Sequence, residues 1–207
     1  MSKPLRPYSV HPATLMVQDW IAALPTKTGK ALEDWLSIAN SSGITTRKEL
    51  TQWLKSEWKF GTNQAGWIAE IALGDAESIA MPSNEGYLQA AENWIQQQYS
   101  GKKEHLRPLY DHLLTVALNI GEDVNACPTK TYLSLFRNNV FAQIKPTTNT
   151  RIDLGLALAD EPTVGKMIET GGATKGDRIT HRIPLQTIDD IDDEVEHWLK
   201  RAYDRDT

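Results

Sequence analysis

The apolar residues of this chain change their spacing near Gly121, and that change limits the folds that the chain can adopt. Before Gly121, apolar side chains recur every three or four residues, as in amphipathic helices. After it, apolar and polar residues alternate, as in strands with one buried face. The sequence therefore predicts an α+β fold class, with an all-helical N-terminal module followed by a small antiparallel-sheet module.

The N-terminal part carries four predicted helices, at about residues 12–24, 29–42, 46–58 and 63–74. Thr46, with Glu49 three residues later, has the pattern of a capping box. Six of the seven tryptophans precede residue 100 and fall at helical spacing, which is typical of core residues. These features predict a helical module over residues 1–80.

Glycine, proline and small polar residues interrupt the helical pattern in GDAESIAMPSNEG, at residues 74–86. This composition predicts a linker or hinge. Two more helices are expected at about residues 85–99 and 102–120, with Pro108 in the first turn of the second helix or at its true start. They begin the second module, which is predicted to span residues 85–207.

Three alternating segments, TYLSLFR, NVFAQIK and RIDLGLAL, predict a β-meander at residues 130–158. A two-residue turn at Asn138-Asn139 suits the first hairpin of this meander. That turn pairs Leu135 with Ala142 and keeps the apolar residues of both strands on one face.

The second hairpin of the meander is predicted to have a five-residue loop at residues 146–150. This loop pairs Ile144 with Ile152, whereas a four-residue loop would place Ile152 on the wrong face. A fourth strand is expected within residues 177–186, and a closing helix at about residues 192–203 completes the module.

The net charge of −5 argues against nucleic acid or an acidic membrane coating the whole protein. Locally, however, residues 129–151 hold four cations and three aromatic rings but no acid. Cations set among flat rings suit a strip of phosphates and bases, so nucleic acid is the leading predicted ligand, with other polyanions beside it. The predicted ligand-binding residues are Lys130, Tyr132, Phe136, Arg137, Phe141, Gln143, Lys145 and Arg151.

Binding by this face depends on whether the face is open. With Phe136 opposite Phe141 and Tyr132 opposite Lys145, an open face would form a stacking platform with cationic edges. Helices on both sides of the sheet would instead bury the rings, and the sequence favours this covered alternative.

The turn between the third and fourth helices carries a second, weaker prediction. Lys59, Gly61 and Asn63 lie in a turn like the hairpin of helix-hairpin-helix modules, in which amides at a helix N-terminus hold a phosphate. A lysine stands where such motifs usually carry their first glycine, and any tight helix-to-helix turn looks much the same. Phosphate binding is one interpretation of this turn, and a purely structural role is the other.

Two stretches of the chain resemble known families. TGKALEDW and GITTRKELTQWLKSEWKFGTNQAGWIAEIA resemble the helical module of domain-of-unknown-function family 4287, over about residues 25–75. From residue 105 onward, KTYLSLFRNNVFAQIKP, THRIPL and DEVEHWLKRAYD resemble domain-of-unknown-function family 5655. The resemblance implies a bacterial two-domain protein and no established activity. The second module is also similar to small α+β domains proposed as iron chaperones or DNA-binding wings.

The sequence lacks the known catalytic motifs, so no catalytic residue, cofactor or metal is predicted. The five histidines lack ligand spacing, and the single cysteine, Cys127, has the character of a small buried residue. No apolar run reaches membrane-spanning length and the N-terminus lacks the core of a signal peptide, so a cytoplasmic location without a membrane partner is expected. A non-catalytic binding protein is predicted, and its oligomeric state is left open.

Two alternatives to polyanion binding stay open. The first is a module that binds a protein partner or a small ligand, and an interaction module needs an exposed apolar patch or a symmetric dimer contact. The second is an enzyme in which Asp153, His181 and Glu169 gather in one pocket.

Overall fold

The computed structural model describes residues 7–74 and 83–207, and these form two compact units. The helical unit is Val10–Ala90, and the sheet unit joins residues 7–9 to Ala91–Thr207, so the boundary falls within the helix at residues 84–98. One unit is helical and the other combines helices with an antiparallel sheet, which confirms the predicted α+β fold class. Most of the predicted linker at residues 74–86 lies outside the described residues, so the predicted module boundary stays a prediction.

The four helices predicted for the N-terminal part are confirmed. They are α1 (Pro12–Thr28), α2 (Leu32–Ser41), α3 (Arg47–Trp58) and α4 (Thr62–Ala72). Thr46 caps α3 as the sequence predicts: the Glu49 N–H donates to Thr46 Oγ1 at 3.3 Å, and the Thr46 hydroxyl donates to the Glu49 carboxylate at 2.6 Å. α1 ends at Gly29, whose φ of +73° is a conformation that glycine adopts without steric penalty.

The core of the helical unit is built from aromatic and aliphatic residues of these four helices. Trp20 and Trp35 are buried in it, as are Leu50, Leu54 and Ile68. The tryptophans therefore serve the core, as their spacing predicts, with one departure. Trp58, the last residue of α3, keeps 42% of its surface exposed.

The sheet unit places helices on one face of a six-stranded sheet. α5 (Asn84–Gln98) is followed by a 3₁₀ helix (Gly101–Leu106) and α6 (Arg107–Leu118), so Pro108 stands in the first turn of α6. The strands are β1 (Asn125–Pro128), β2 (Leu133–Phe136), β3 (Val140–Thr148), β4 (Arg151–Leu156), β5 (Ile168–Glu169) and β6 (His181–Leu185), and α7 (Asp193–Arg205) closes the chain. Their order in the sheet is β1-β2-β3-β4-β6-β5, with antiparallel neighbours throughout.

The first hairpin has the predicted register up to Leu135, which pairs with Ala142. The register then shifts, so that Phe136 pairs with Val140 and not with Phe141. Residues 137–139 therefore connect the two strands, and the predicted two-residue turn at Asn138-Asn139 is wrong. The extra residue of this β-bulge is Phe141, and it turns into the core, where it is fully buried and packs against the ring of Tyr203 at 5.6 Å. The expectation that Phe141 faces away from the core is therefore wrong.

The predicted loop of the second hairpin is also wrong. β3 continues to Thr148, which pairs with Arg151 around a two-residue turn, and Ile144 pairs with Leu154 instead of Ile152. Ile152 and Leu154 lie on the same face, so the burial pattern alone cannot distinguish the two registers. The irregular pairing between Lys145 and Thr148 accommodates the proline at position 146, which has no N–H to donate.

The two faces of the sheet differ in what covers them. One face carries apolar residues such as Leu133, Leu154 and Ile183, which join α6 and α7 in the hydrophobic core. The residues that alternate with them lie on the opposite face, and part of that face is covered by the chain segment 170–179. Within the described residues, no helix is long and apolar enough to cross a membrane.

Candidate anion-binding surface

A depression of about 260 Å³ lies on the face of the sheet opposite the core, and we call it the first depression. Its floor consists of side chains that alternate with core residues on three neighbouring strands. They come from β3, β4 and β6, and segment 170–179 forms its wall; the floor residues include Gln143, Lys145, Asp153, Gly155 and Arg182.

Gly155 allows segment 170–179 to lie close to the sheet, and Gly172 allows that segment to fold back on itself. A Cβ atom on Gly155 would stand 2.7 Å from Cγ2 of Ile179, and one on Gly172 would stand 2.5 Å from the Ile179 carbonyl oxygen. The Thr170 hydroxyl donates a hydrogen bond to that same carbonyl at 2.7 Å. The wall of the first depression is thus a packed feature, set by close contacts of Ile179.

A buried carboxylate lies at the floor of the first depression. Asp153 is only 7% exposed, and two guanidinium groups hold it: Arg151 Nε lies 2.8 Å from Oδ1, and Arg182 Nη1 donates to Oδ1 at 3.1 Å. A buried carboxylate needs such partners to offset its desolvation. Asp177 adds a second acid, so the cations that line the first depression (Lys145, Lys175 and Arg182) exceed its acids by one charge, and Arg151 beside it adds one more.

A second depression, of about 540 Å³, adjoins the first. Four lysines line it, and no acid does among the described residues: Lys102, Lys103, Lys130 and Lys145. Lys103 Nζ donates a hydrogen bond to the Pro146 carbonyl at 2.5 Å, which ties the 3₁₀ helix to β3. Gln98 Nε2 donates to the Thr129 carbonyl at 2.7 Å and so holds the connection between β1 and β2, which contains Lys130.

Lys145 and Thr147 line both depressions, so the two form one continuous surface. We call this the basic surface. The Lys145 side chain is exposed, and its ammonium group makes no hydrogen bond or ion pair with residues 7–74 or 83–207. Lys175 lies on the wall of the first depression and is exposed as well. The surface thus presents cations of which at least Lys145 is available to an external anion.

The structure brings half of the predicted ligand-binding residues to the basic surface. Lys130, Gln143 and Lys145 line it, and Arg151 stands beside it through its pair with Asp153. The other predicted residues do not join them. Tyr132 and Phe136 are half-buried and neither is among the described residues that line the two depressions, while Phe141 is in the core. The three rings therefore do not form the stacking platform of the open-face alternative, which the sequence did not favour.

The contacts of Arg137 lie outside the basic surface. Its Nε donates to Asp123 Oδ2 at 2.9 Å, and its guanidinium lies 4.5 Å from the centre of the Tyr203 ring. The Tyr203 hydroxyl donates to the other Asp123 oxygen at 2.6 Å. The hydrogen bonds from Tyr203 and then from Arg137 lower the pKa of Asp123, because both favour the charged carboxylate. Arg137 thus acts in a structural cluster at the end of the first hairpin.

Sequence reasoning missed several residues of the basic surface. Lys102 and Lys103 precede α6, and Arg182 lies on β6. Only the alternation of Arg182 with the buried residues of β6, such as Ile183 and Leu185, could have placed it on the same face as Asp153. The lysines carry no such signal, because they reach the surface from segments distant in sequence.

The three residues of the predicted phosphate turn do not line one common depression. Lys59 and Asn63 line two different depressions of the helical unit. The Gly61 N–H donates to Gln64 Oε1 at 3.0 Å, so the side chain of α4 itself satisfies this amide. Phosphate binding by these three residues together stays a prediction. The hydrogen bond within the turn explains its conformation without a bound phosphate.

The residues of the enzyme alternative do not share one pocket. Asp153 lies on the face opposite the core, whereas His181 pairs with Leu156 on the core face and is 2% exposed. Among the described residues, no group of three or more histidine, cysteine or acidic side chains could hold a metal ion. Cys127 is buried as the sequence predicts, and burial raises the pKa of its thiol to about 12.

The fold defines a class of small α+β domain, in which an antiparallel sheet has helices on one face and a charged depression on the other. Residues 95–206 match the family model described as Domain of unknown function (DUF5655), and the chain belongs to that family. Residues 16–73 match a second model, Domain of unknown function (DUF4287). Comparisons with curated proteins and with solved structures returned no match.

Proposed function

We propose that this protein binds a polyanion, with nucleic acid as the leading class, through the basic surface of its sheet unit. The observation that supports the proposal is the position of Lys145 between two adjoining depressions with cationic linings. A row of cations on a continuous concave surface suits successive phosphates of a strand. We place this binding in the cytoplasm as part of the same proposal.

The chemistry of the surface favours recognition of the backbone over recognition of bases. No aromatic ring is among the described residues that line either depression. Stacking, which contributes about 1–3 kcal/mol per base in single-strand binding proteins, is therefore not available on this surface. Affinity that comes from counterion release should fall steeply with salt and depend little on sequence.

The test is fluorescence anisotropy of labelled single-stranded DNA, single-stranded RNA and duplex DNA across a salt series. The informative variant is Lys102→Gln combined with Lys145→Gln, because both lysines are exposed and neither forms an ion pair among the described residues. We expect an affinity loss on the order of tenfold at low salt. For single strands, the slope of the logarithm of the binding constant against the logarithm of the salt concentration should become smaller by about 1.4, because each lysine removed contributes about 0.7. Arg151 is unsuitable for this test because its loss would leave Asp153 without one partner.

A matched control is Lys48→Gln with Lys55→Gln, which removes the same charge from α3 of the helical unit. We expect this control to keep the wild-type salt slope. Equal losses in both double variants would mean that binding follows net charge alone, and wild-type protein that binds none of the strands at low salt would refute the proposal.

A further inference from the structure

The helical unit contains a cavity of its own, about 420 Å³ in volume, which the proposed polyanion surface does not use. α1, α2, the end of α3 and the turn before α4 line it. Cavities that hold small molecules are typically about 300–1,000 Å³ in volume. The cavity is therefore large enough for a small-molecule ligand.

Aromatic rings form one side of this cavity. Trp35 makes edge-to-face contacts with Trp58 and Phe60, with ring centroids 5.1 and 4.8 Å apart. The indole N–H of Trp35 donates to Thr28 Oγ1 at 3.0 Å, which fixes the orientation of the ring. Trp58 stands at the opening with 42% of its surface exposed. A fixed set of rings with one exposed member can stack on a flat ligand with little loss of side-chain entropy.

Three lysines surround the same cavity: Lys27, Lys30 and Lys59. No acid is among the described residues that line it. The ammonium groups of Lys27 and Lys30 make no hydrogen bond or ion pair with the described part of the chain. Lys59 Nζ donates to the Ser56 carbonyl at 2.7 Å and keeps two further donors. An anionic group is therefore the chemical complement of the opening.

The backbone of Lys59 has an uncommon conformation. Its φ is +60°, in the left-handed region that favours glycine over any residue with a Cβ atom. Lys59 is the C-cap of α3, and a left-handed residue, usually glycine, commonly ends a helix. Because a lysine stands here and not a glycine, the end of α3 adds an ammonium group to the lining of the cavity.

From the rings and the lysines together, we infer that the cavity binds a compound in which a flat aromatic ring is joined to an anionic group. Nucleotides have this chemistry. The ring stacks against Trp58 and Trp35, and the phosphate meets Lys27, Lys30 and Lys59. The nucleotide is either a free molecule or one unit of a nucleic-acid strand, and this site is separate from the basic surface of the sheet unit.

The experiment is calorimetric titration of the full chain with nucleoside monophosphates, the matching nucleosides, inorganic phosphate and a short single-stranded oligonucleotide. Two variants preserve the fold: Trp58→Ala removes an exposed ring, and Lys59→Gly places glycine where the backbone favours it. Lys48→Ala is the control, because this exposed lysine of α3 lines a different depression. Circular dichroism verifies that each variant is folded.

We expect monophosphates to bind at least tenfold more tightly than nucleosides or phosphate alone, and each of the two variants to lose tenfold or more while Lys48→Ala loses nothing. Binding of the oligonucleotide alone, with the same dependence on Trp58 and Lys59, would support the site with a strand as the source of the nucleotide. Nucleotide binding that both variants leave unchanged, or no binding by wild type, would overturn the inference. Oligonucleotide binding that requires Lys102 and Lys145 but not Trp58 or Lys59 would overturn it and leave the polyanion proposal standing.

Discussion

Arg182 donates a hydrogen bond to Asp153 at 3.1 Å on the face of the sheet opposite the core, at the floor of the first depression. Arg151 pairs with the same carboxylate from β4 itself. The most deeply buried charge of the proposed binding surface is therefore an anion, and it is paired with two cations. This arrangement holds two guanidinium groups in place and also reduces the positive charge that a ligand meets.

Replacing this carboxylate should change anion affinity and stability in opposite directions. For Asp153→Asn we expect polyanion binding to tighten by about threefold to tenfold, because one negative charge leaves the surface. We expect the free energy of unfolding to fall by about 1–2 kcal/mol, because the two guanidinium groups keep a hydrogen-bond acceptor but lose the anion that compensates their charge. Anisotropy and urea denaturation measure the two effects. Asp204→Asn on α7 is the control, and weaker binding by a folded Asp153→Asn protein would contradict the proposed surface.

Asp206, just after α7, anchors the turn of the first hairpin. Its buried carboxylate accepts hydrogen bonds from the N–H groups of Asn138 and Asn139 at 2.9 and 2.7 Å, and from Arg178 at 3.0 Å. We expect Asp206→Ala to lower the free energy of unfolding by about 2–4 kcal/mol, because two backbone amides of the turn and Arg178 lose a charged acceptor. Urea denaturation tests this. Asp204→Ala, an exposed neighbour, should change the value by less than about 0.5 kcal/mol, and similar values for both variants would disprove the anchoring role.

Stability of the helical unit should depend on the protonation of His11. The Ala13 N–H donates to His11 Nδ1 at 3.0 Å, so His11 caps α1 in its neutral form. Burial lowers the pKa of His11 from its ordinary 6.5, so the unfolded chain takes up this proton at a higher pH than the folded chain. The stabilisation is therefore present above pH 6.5 and is lost as the pH falls from there through the folded pKa.

The variant that isolates this effect is His11→Asn, which keeps a good N-cap without a titrating group. From neutral to acidic pH, we expect the free energy of unfolding of wild type to fall by about 1 kcal/mol more than that of the variant. Urea denaturation at a series of pH values measures the difference. Parallel stability curves for the two proteins would show that the cap does not titrate in this range.

Cys127 should be unreactive in the native protein. Burial raises the pKa of its thiol to about 12, and only the thiolate reacts with disulfide reagents. We expect labelling at pH 8 to be at least about tenfold slower than in denaturant, and to follow the rate at which the sheet unit opens. Rapid labelling of folded protein would contradict the buried position of β1.

Some elements were predictable from the sequence because the signals that specify them are local. Thr46 and Glu49 marked the start of α3, and the alternation of apolar residues in β2 and β3 marked the pairing of Leu135 with Ala142, although the connection holds three residues and not the predicted two. The pairing of Ile144 was not predictable, because a shift of two residues leaves the same side chains on the same face. Nothing local marks which residue of β3 forms the bulge, so Phe141 was placed on the wrong face.

In the candidate site, too, some residues could be recognised from the local sequence and others could not. Lys130, Lys145 and Arg151 stood out because they are close in sequence in a segment without acids. Lys102, Lys175 and Arg182 join Lys145 only through tertiary contacts. The cavity of the helical unit likewise gathers Lys27, Trp35 and Lys59 from three segments.

The sequence by itself determined the two kinds of unit, the seven helices described and the strands of the meander, because periodicity and capping depend on residues within a few positions of each other. Only the tertiary structure decided which cations share a surface, how segment 170–179 lies on Gly155 and which way Phe141 turns. Those outcomes depend on packing between segments distant in the chain, and close packing selects among local alternatives that the residue pattern leaves nearly equal.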